Sequence, residues 1–240
     1  MWEGAQSSIN CTSEMMKLAD VFIWLDDAQF SKGSFTNRIQ VKIGDDRKWM
    51  TVPLDGKGAF QEIHALQARD DSWIASHRSL LQNALKSAPF KATAFEVFDR
   101  AVDRDSLCEV LIASAEEQAR ALGAMPGDVR IASQMSVPGN SWQRVIDMVQ
   151  AVGGTHYISG AGGARYLDHS AFEAAGLTVS YMNYNPLPWP QAGDSFTPYV
   201  TSLDLIAAAG DTAGTHLRPS LMPWRERLAE INAGPDEEGS

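Results

Sequence analysis

Cysteine occurs only at Cys11 and Cys108 in 240 residues. Two thiols cannot build a disulfide framework, and this usage predicts a reducing cytoplasm. No run of about 18 apolar residues occurs, so no membrane-spanning helix is expected. The first ten residues, MWEGAQSSIN, have neither a basic region nor an apolar core of secretory type. The five histidines are scattered, and none falls into a Cys/His pattern with zinc spacing, so no metal site is expected. Positive charge is also short. Lys and Arg number 20 against 30 Asp and Glu, a net charge of −10. Such a surface repels phosphate backbones and argues against a nucleic-acid partner.

What is present suits a folded domain. Hydrophobic residues make up 44% of the chain, enough for a sizeable core. Val21–Leu25 is a short apolar run read as a buried strand. Arg38–Ile43 alternates, with Ile39, Val41 and Ile43 on one face. GDDR then makes a four-residue turn and KWMTVPL returns, predicting a hairpin. Glu62–Leu66 is a candidate strand. Helical periodicity follows in DDSWIASHRSLLQNALKSAP and in FKATAFEVFDRAVDR. A third helix starts at Ser106 and Glu109, the S-x-x-E capping box, and stops at Gly123.

From Val129 to Tyr184 the order is strand, helix, strand, helix, strand: DVRIASQM, NSWQRVIDMVQAVGG, THYIS, HSAFEAAG, LTVSYMNY. Together these elements predict an α/β fold, with a mostly parallel, helix-covered sheet, an N-terminal β-hairpin and a helical middle segment. NPLPWPQAGDSFTP reads as a Pro-rich loop and YVTSLDLIAAAG as a last helix. Residues 1–230 are expected to form a single domain, and 231–240 an acidic, disordered tail. The first twenty residues carry no strand-like run and are expected to pack loosely.

Ligands of open parallel sheets sit at the carboxyl ends of strands. Two loops hold that position. The loop after Leu25 crowds Asp26, Asp27, Gln29, Lys32, Ser34, Asn37 and Arg38 between two apolar runs. The loop after Ile158, SGAGGARYLD, offers Gly160, Gly162 and Gly163, whose backbone amides can approach an anion. Each has a plain structural alternative. Asp26 and Asp27 also fit strand-end caps, Asn37 and Arg38 fit hydrogen bonding at the start of a strand, and the glycines fit a tight turn. His156, within a strand, fits a core histidine as well as a base.

The stretch ADVFIWLDDAQFSKGSFTNRIQVK…WMTVPL carries the pattern Q-F-x-K followed by N-R and a W-M-T-V-P strand. GGTHYISGAGGARYLD, FEAAGLTVSYMNY, PWPQ and FTPYVTSLDLIAAAG follow in order. Over roughly residues 19–210 the chain resembles the WbqC-like protein family. The family's opening strand and Gln-Pro loop have no full counterpart; only Trp2–Gly4 matches its tail, so a gap or exposed edge beside Val21–Leu25 is expected. NYNPLPWPQ also lacks a histidine that family members often carry.

The resemblance implies a place in surface-polysaccharide (O-antigen-type) synthesis, with transfer of an amino acid, glycine being the suggested case, to an amino sugar as an amide. The substrates would be an amino sugar or nucleotide sugar. An anion pocket would then draw on Lys32, Arg38 and the Ser159–Gly163 backbone. Asp26, Asp27 or His156 would accept the amine proton, and Gln29, Asn37, Tyr166 and Gln191 would orient sugar hydroxyls. The strand, polar loop and Ser-Gly loop are also similar to pantothenate-synthetase-like adenylating folds, which would make ATP the activator, although no Walker A motif is present. A non-catalytic sugar- or nucleotide-binding protein and a nucleotidyltransferase remain alternatives.

Overall fold

The chain is an α/β protein. A computed structural model describes residues 9–58 and 60–233. Its helices are α1 (Ile9–Leu18), α2 (Ser72–Ala84), α3 (Lys91–Val102), α4 (Leu107–Ala121), α5 (Ser141–Ala151), α6 (His169–Ala174), α7 (Ser202–Ala209) and α8 (Trp224–Ala233). Its strands are β1 (Val21–Trp24), β2 (Arg38–Ile43), β3 (Asp46–Thr51), β4 (Asp128–Ile131), β5 (His156–Ser159), β6 (Thr178–Asn183) and β7 (Ser220–Pro223).

The strands divide into three sheets. β1 pairs in parallel with β4, from Val21 opposite Asp128 to Trp24 opposite Ile131. β5 pairs in parallel with β6, and β7 adds to β6 antiparallel. β2 and β3 form the hairpin. The expected parallel order is present but in two pieces. Among the described residues β1 bonds only to β4, and β5 only to β6 and not to β1.

Local chemistry explains most boundaries. Ser106 accepts the Glu109 amide at 3.2 Å while the Glu109 carboxylate accepts the Ser106 amide at 3.0 Å, completing the capping box of α4. Asp168 caps α6 through the Ala171 amide. The hairpin turn is tighter than GDDR suggests. Ile43 pairs with Asp46, so only Gly44 and Asp45 turn, with Gly44 supplying a φ of 62°. Glu62–Leu66 is no strand: Ile63–Ala65 is a 3-10 turn, and Glu62 bridges Gln29. β4 stops at Ile131 because Ala132–Gln134 coils into another.

Two helices lie where none is expected. α1 is well packed: Met16, Ser13 and Glu14 are fully buried. Its inward face mixes Cys, Ser, Glu and Met, so no apolar stripe announces it. The family-like tail Trp2–Gly4 lies outside the described residues. At the other end β7 and α8 follow the supposed last helix. Residues 231–233 of the expected tail belong to α8, and 234–240 lie outside the described residues.

The largest core joins α2, α3, α4 and α7 to the inner face of the hairpin and to Trp24, whose Nε1 donates to Glu116 at 2.9 Å. A second core packs α5 and α6 on β5 and β6 through Val145, Ile146, Phe172, Val179 and Tyr181. Between these two bodies lies a cleft.

Candidate functional site: the cleft between β1 and β5

The cleft measures about 590 Å³, within the range of small-molecule sites. One wall is the whole of β1 with Leu25 just after it; the other is Thr155 with His156, Tyr157 and Ile158 of β5. Consecutive residues of both strands line it, as expected where a strand presents its backbone edge and not one side-chain face. Val145, Met148 and Val149 of α5 and Met15 of α1 contribute apolar surface. Polar groups enter from separate elements: Thr12 from α1, His156 from β5, Asn183 and Tyr184 at the end of β6, Tyr199, and Arg227 from α8.

Arg227 is the only Lys or Arg among the described lining residues. Its Nη1 pairs with Glu230 at 3.0 Å, while its Nε is buried with no hydrogen-bond partner among the described residues. A buried donor without a partner costs free energy that a bound acceptor would recover. His156 holds its Nε2 2.9 Å from Ser180 Oγ.

The two loops chosen from the sequence behave differently. Gly160 and Ala161 line the cleft, and a Cβ at Gly160 would meet open space. Ser159 is buried and donates to the Gly160 carbonyl. Gly163 is a packing glycine: a Cβ there would lie 2.2 Å from Ser159 Oγ. Gly162 and Gly163 both sit in the 3-10 turn Ala161–Arg165, and Tyr166 follows as its C-cap; neither glycine nor Tyr166 lines the cleft.

The loop after β1 is mostly lashed to protein. Asp26 is buried and accepts from the Ser133 amide at 2.9 Å and the Ser133 hydroxyl at 2.6 Å. Asp27 receives a two-pronged bond from Arg144 of α5, whose Nε also donates to the Val137 carbonyl. The Arg144 guanidinium holds the Asp27 carboxyl below the usual carboxylate range. Both carboxylates thus tie the loop after β1 to the segment after β4. Neither lines the cleft; of the three bases chosen from the sequence only His156 does, and Asp20 is the carboxylate in the lining.

Asn37 donates to the Val52 carbonyl at 2.9 Å. Arg38 finds no Asp. It closes on its own loop through the Gly33 and Ser34 carbonyls and lays its guanidinium 4.2 Å over the Trp49 ring. Gln191 staples the Pro-rich loop by bonding Thr197 and the buried Asp204. Gln29 and Lys32 are exposed, outside the cleft. Lys32→Ala is expected to leave the unfolding temperature within about 2 °C of the parent, as exposed substitutions usually do; a thermal melt checks this.

Thr12, Asn183, Tyr184, Tyr199 and Arg227 had no motif to mark them. Four elements distant in sequence bring them together, and only packing reveals that. Among the described residues, no group of three or more His, Cys, Asp or Glu could hold a metal, and no helix is long and apolar enough to cross a membrane.

Comparison with known proteins gives the family of the chain. A model of the WbqC-like protein family matches residues 13–216. A protein of Mycobacterium tuberculosis (strain ATCC 25618 / H37Rv), "Uncharacterized protein Rv1507c", is 27% identical over 225 residues, covering 85% of this chain and 90% of the relative. No solved structure matches significantly.

Proposed function

Because the chain belongs to the WbqC-like protein family, we propose that it is an enzyme of surface-polysaccharide biosynthesis that joins an activated amino acid, glycine in the simplest case, to the amine of an amino sugar. The reaction is assigned to the cleft between β1 and β5. The observation that supports this reading most is the presence of His156 and Arg227 in one cavity whose walls mix apolar and polar side chains.

Amide formation needs a base, an anion clamp and restricted water. The sugar amine attacks the activated carbonyl carbon, forming the C–N bond as the bond to the leaving group breaks. The amine proton passes to a ring nitrogen of His156, whose imidazole can accept a proton when one ring nitrogen carries no hydrogen. The leaving phosphate or adenylate departs with the electron pair, and Arg227 supplies its Nε and remaining guanidinium donors to it. The apolar strand and helix walls strengthen that charge interaction. ATP fits as the activator because activation leaves such an anion.

The test is incubation with ATP, glycine and a nucleotide-linked amino sugar, following AMP, ADP or pyrophosphate together with the amide by mass spectrometry. The parent should release nucleotide only when both glycine and sugar are present. His156→Ala should slow turnover about 10²–10⁴-fold, the usual worth of a positioned base. Arg227→Ala should weaken ATP binding roughly 10- to 150-fold, the worth of a charged hydrogen bond. ATP binding without any turnover would instead favour binding without catalysis, a reading supported by the structural engagement of Asp26 and Asp27.

A further inference from the structure

The hairpin carries a second concavity. On β2 and β3, Arg38, Gln40 and Lys42 face the same side as their partners Thr51, Trp49 and Arg47. Ile39, Val41 and Met50 take the opposite side, against the core. The polar side is partly roofed by the Pro-rich loop. Lys42 donates to the Ala192 and Ser195 carbonyls, and Asp45 accepts from the Asp194 amide and from the Ser195 amide and hydroxyl. What the roof leaves open is a groove of about 510 Å³ lined by Phe35, Gln40, Arg47, Trp49, Thr197 and Tyr199 among others.

Its centre is an aromatic platform. Trp49 is 39% exposed, an unusual position for the largest side chain on a short strand. Arg38 braces the ring at 4.2 Å, and Phe35 lies beside it at 5.5 Å between centroids. Gln40, Arg47, Thr197 and Tyr199 bring amide, guanidinium and hydroxyl groups around the platform. A flat apolar face ringed by amide, guanidinium and hydroxyl groups, with the lining carboxylate of Asp45 tied to the Asp194 and Ser195 amides, matches a pyranose, which has one face of C–H bonds and a rim of hydroxyls. The C–H face meets the negative face of the indole. Tyr199 lines this groove and the cleft alike, and it packs 6.4 Å from Tyr184, also of the cleft.

We propose that the groove on the β2–β3 hairpin is a carbohydrate subsite, where a neutral hexopyranose stacks on Trp49 and hydrogen-bonds to Gln40, Arg47 and Thr197, and that Tyr199 joins it to the cleft. The acceptor is then a chain of at least two sugars, one held in the groove and the amine-bearing one in the cleft; this last step rests on the function proposed above.

The subsite is tested on the intact protein without ATP, by binding to an array of bacterial surface oligosaccharides and by saturation-transfer NMR with chitobiose. The parent should bind. Trp49→Ala and Gln40→Ala should each lower binding, Trp49→Ala by at least about tenfold, with Trp49→Phe recovering part of it. Their melts should stay near the parent's, and ATP binding should be unchanged. Binding that survives Trp49→Ala but falls in Arg227→Ala would put the sugar in the cleft alone and overturn the groove. A parent that binds none of these oligosaccharides overturns it as well, while turnover of ATP and glycine with the nucleotide-linked amino sugar can still stand. Sugar binding lost with Trp49 in a protein that turns over no nucleotide keeps the groove and removes the transferase.

Discussion

Lys42→Ala is expected to destabilise the protein by about 3–5 kcal/mol, the scale for removing one member of a buried charged network. The Lys42 residue is 1% exposed although it sits on a hairpin strand. Its ammonium holds two carbonyls of the Pro-rich loop and lies 3.8 Å from Asp45. It also opposes the charge of Asp204, a carboxyl that burial pushes up and that bonds from Trp189 and Gln191 pull back down. Alanine would leave those carbonyls without a donor and a void where the stem packed. In a chain of this size the melting temperature should fall on the order of 10 °C. Lys42→Met should recover only the packing share. Circular-dichroism melts of both variants decide the matter. A Lys42→Ala melt within about 2 °C of the parent would show that the loop is held by Asp45 and Gln191 without the ammonium.

Asp27→Asn should cost about 2–4 kcal/mol at neutral pH, because Arg144 would keep a half-buried guanidinium without its countercharge. The side chains of Asp27 and Arg144 are each 17% exposed, so solvent screens the pair only partly. The pH dependence has a definite sign. The folded carboxyl titrates below its unfolded value of about 3.9, and the first cause is the Arg144 bond. Its contribution is therefore complete above that unfolded value. It is lost as pH falls through the depressed folded value. Urea unfolding at pH 7 should separate parent and D27N clearly, and the gap should narrow steadily below pH of about 4. A gap that stays constant into acid would mean the carboxylate contributes through packing rather than charge.

The Asp27–Arg144 pair also bears on why the loop after β1 crowds so many polar groups together. Asp26, Asp27, Asn37 and Arg38 each bond to protein atoms. They fasten a long excursion between two strands that belong to different sheets. The sequence offered both readings of these residues, as ligand contacts or as loop anchors. Partners such as Ser133 and Arg144, more than a hundred residues away, could not be chosen from spacing.

Where a signal is local, the sequence alone determined the outcome. Alternation set the core face of the hairpin, and the capping box set the start of α4. The strand–helix alternation after residue 128 produced β4, α5, β5, α6 and β6, because pattern and cap chemistry act within a few residues. The Q-F-x-K…N-R and Y-I-S-G-x-G-G blocks were likewise enough to identify the family. Tertiary structure decided what depends on distant partners. α1 hides Ser13 and Glu14 inward, so its burial has no periodic trace. The cleft exists because β1 and β5, separated by more than 130 residues, face each other without sharing backbone bonds. Arg227 and Tyr199 reach it from α8 and from the loop before α7, and the polar side of the hairpin becomes a groove only once Lys42 and Asp45 draw the Pro-rich loop across it. Such contacts arise from packing and charge pairing across the chain, which no window of neighbouring residues contains.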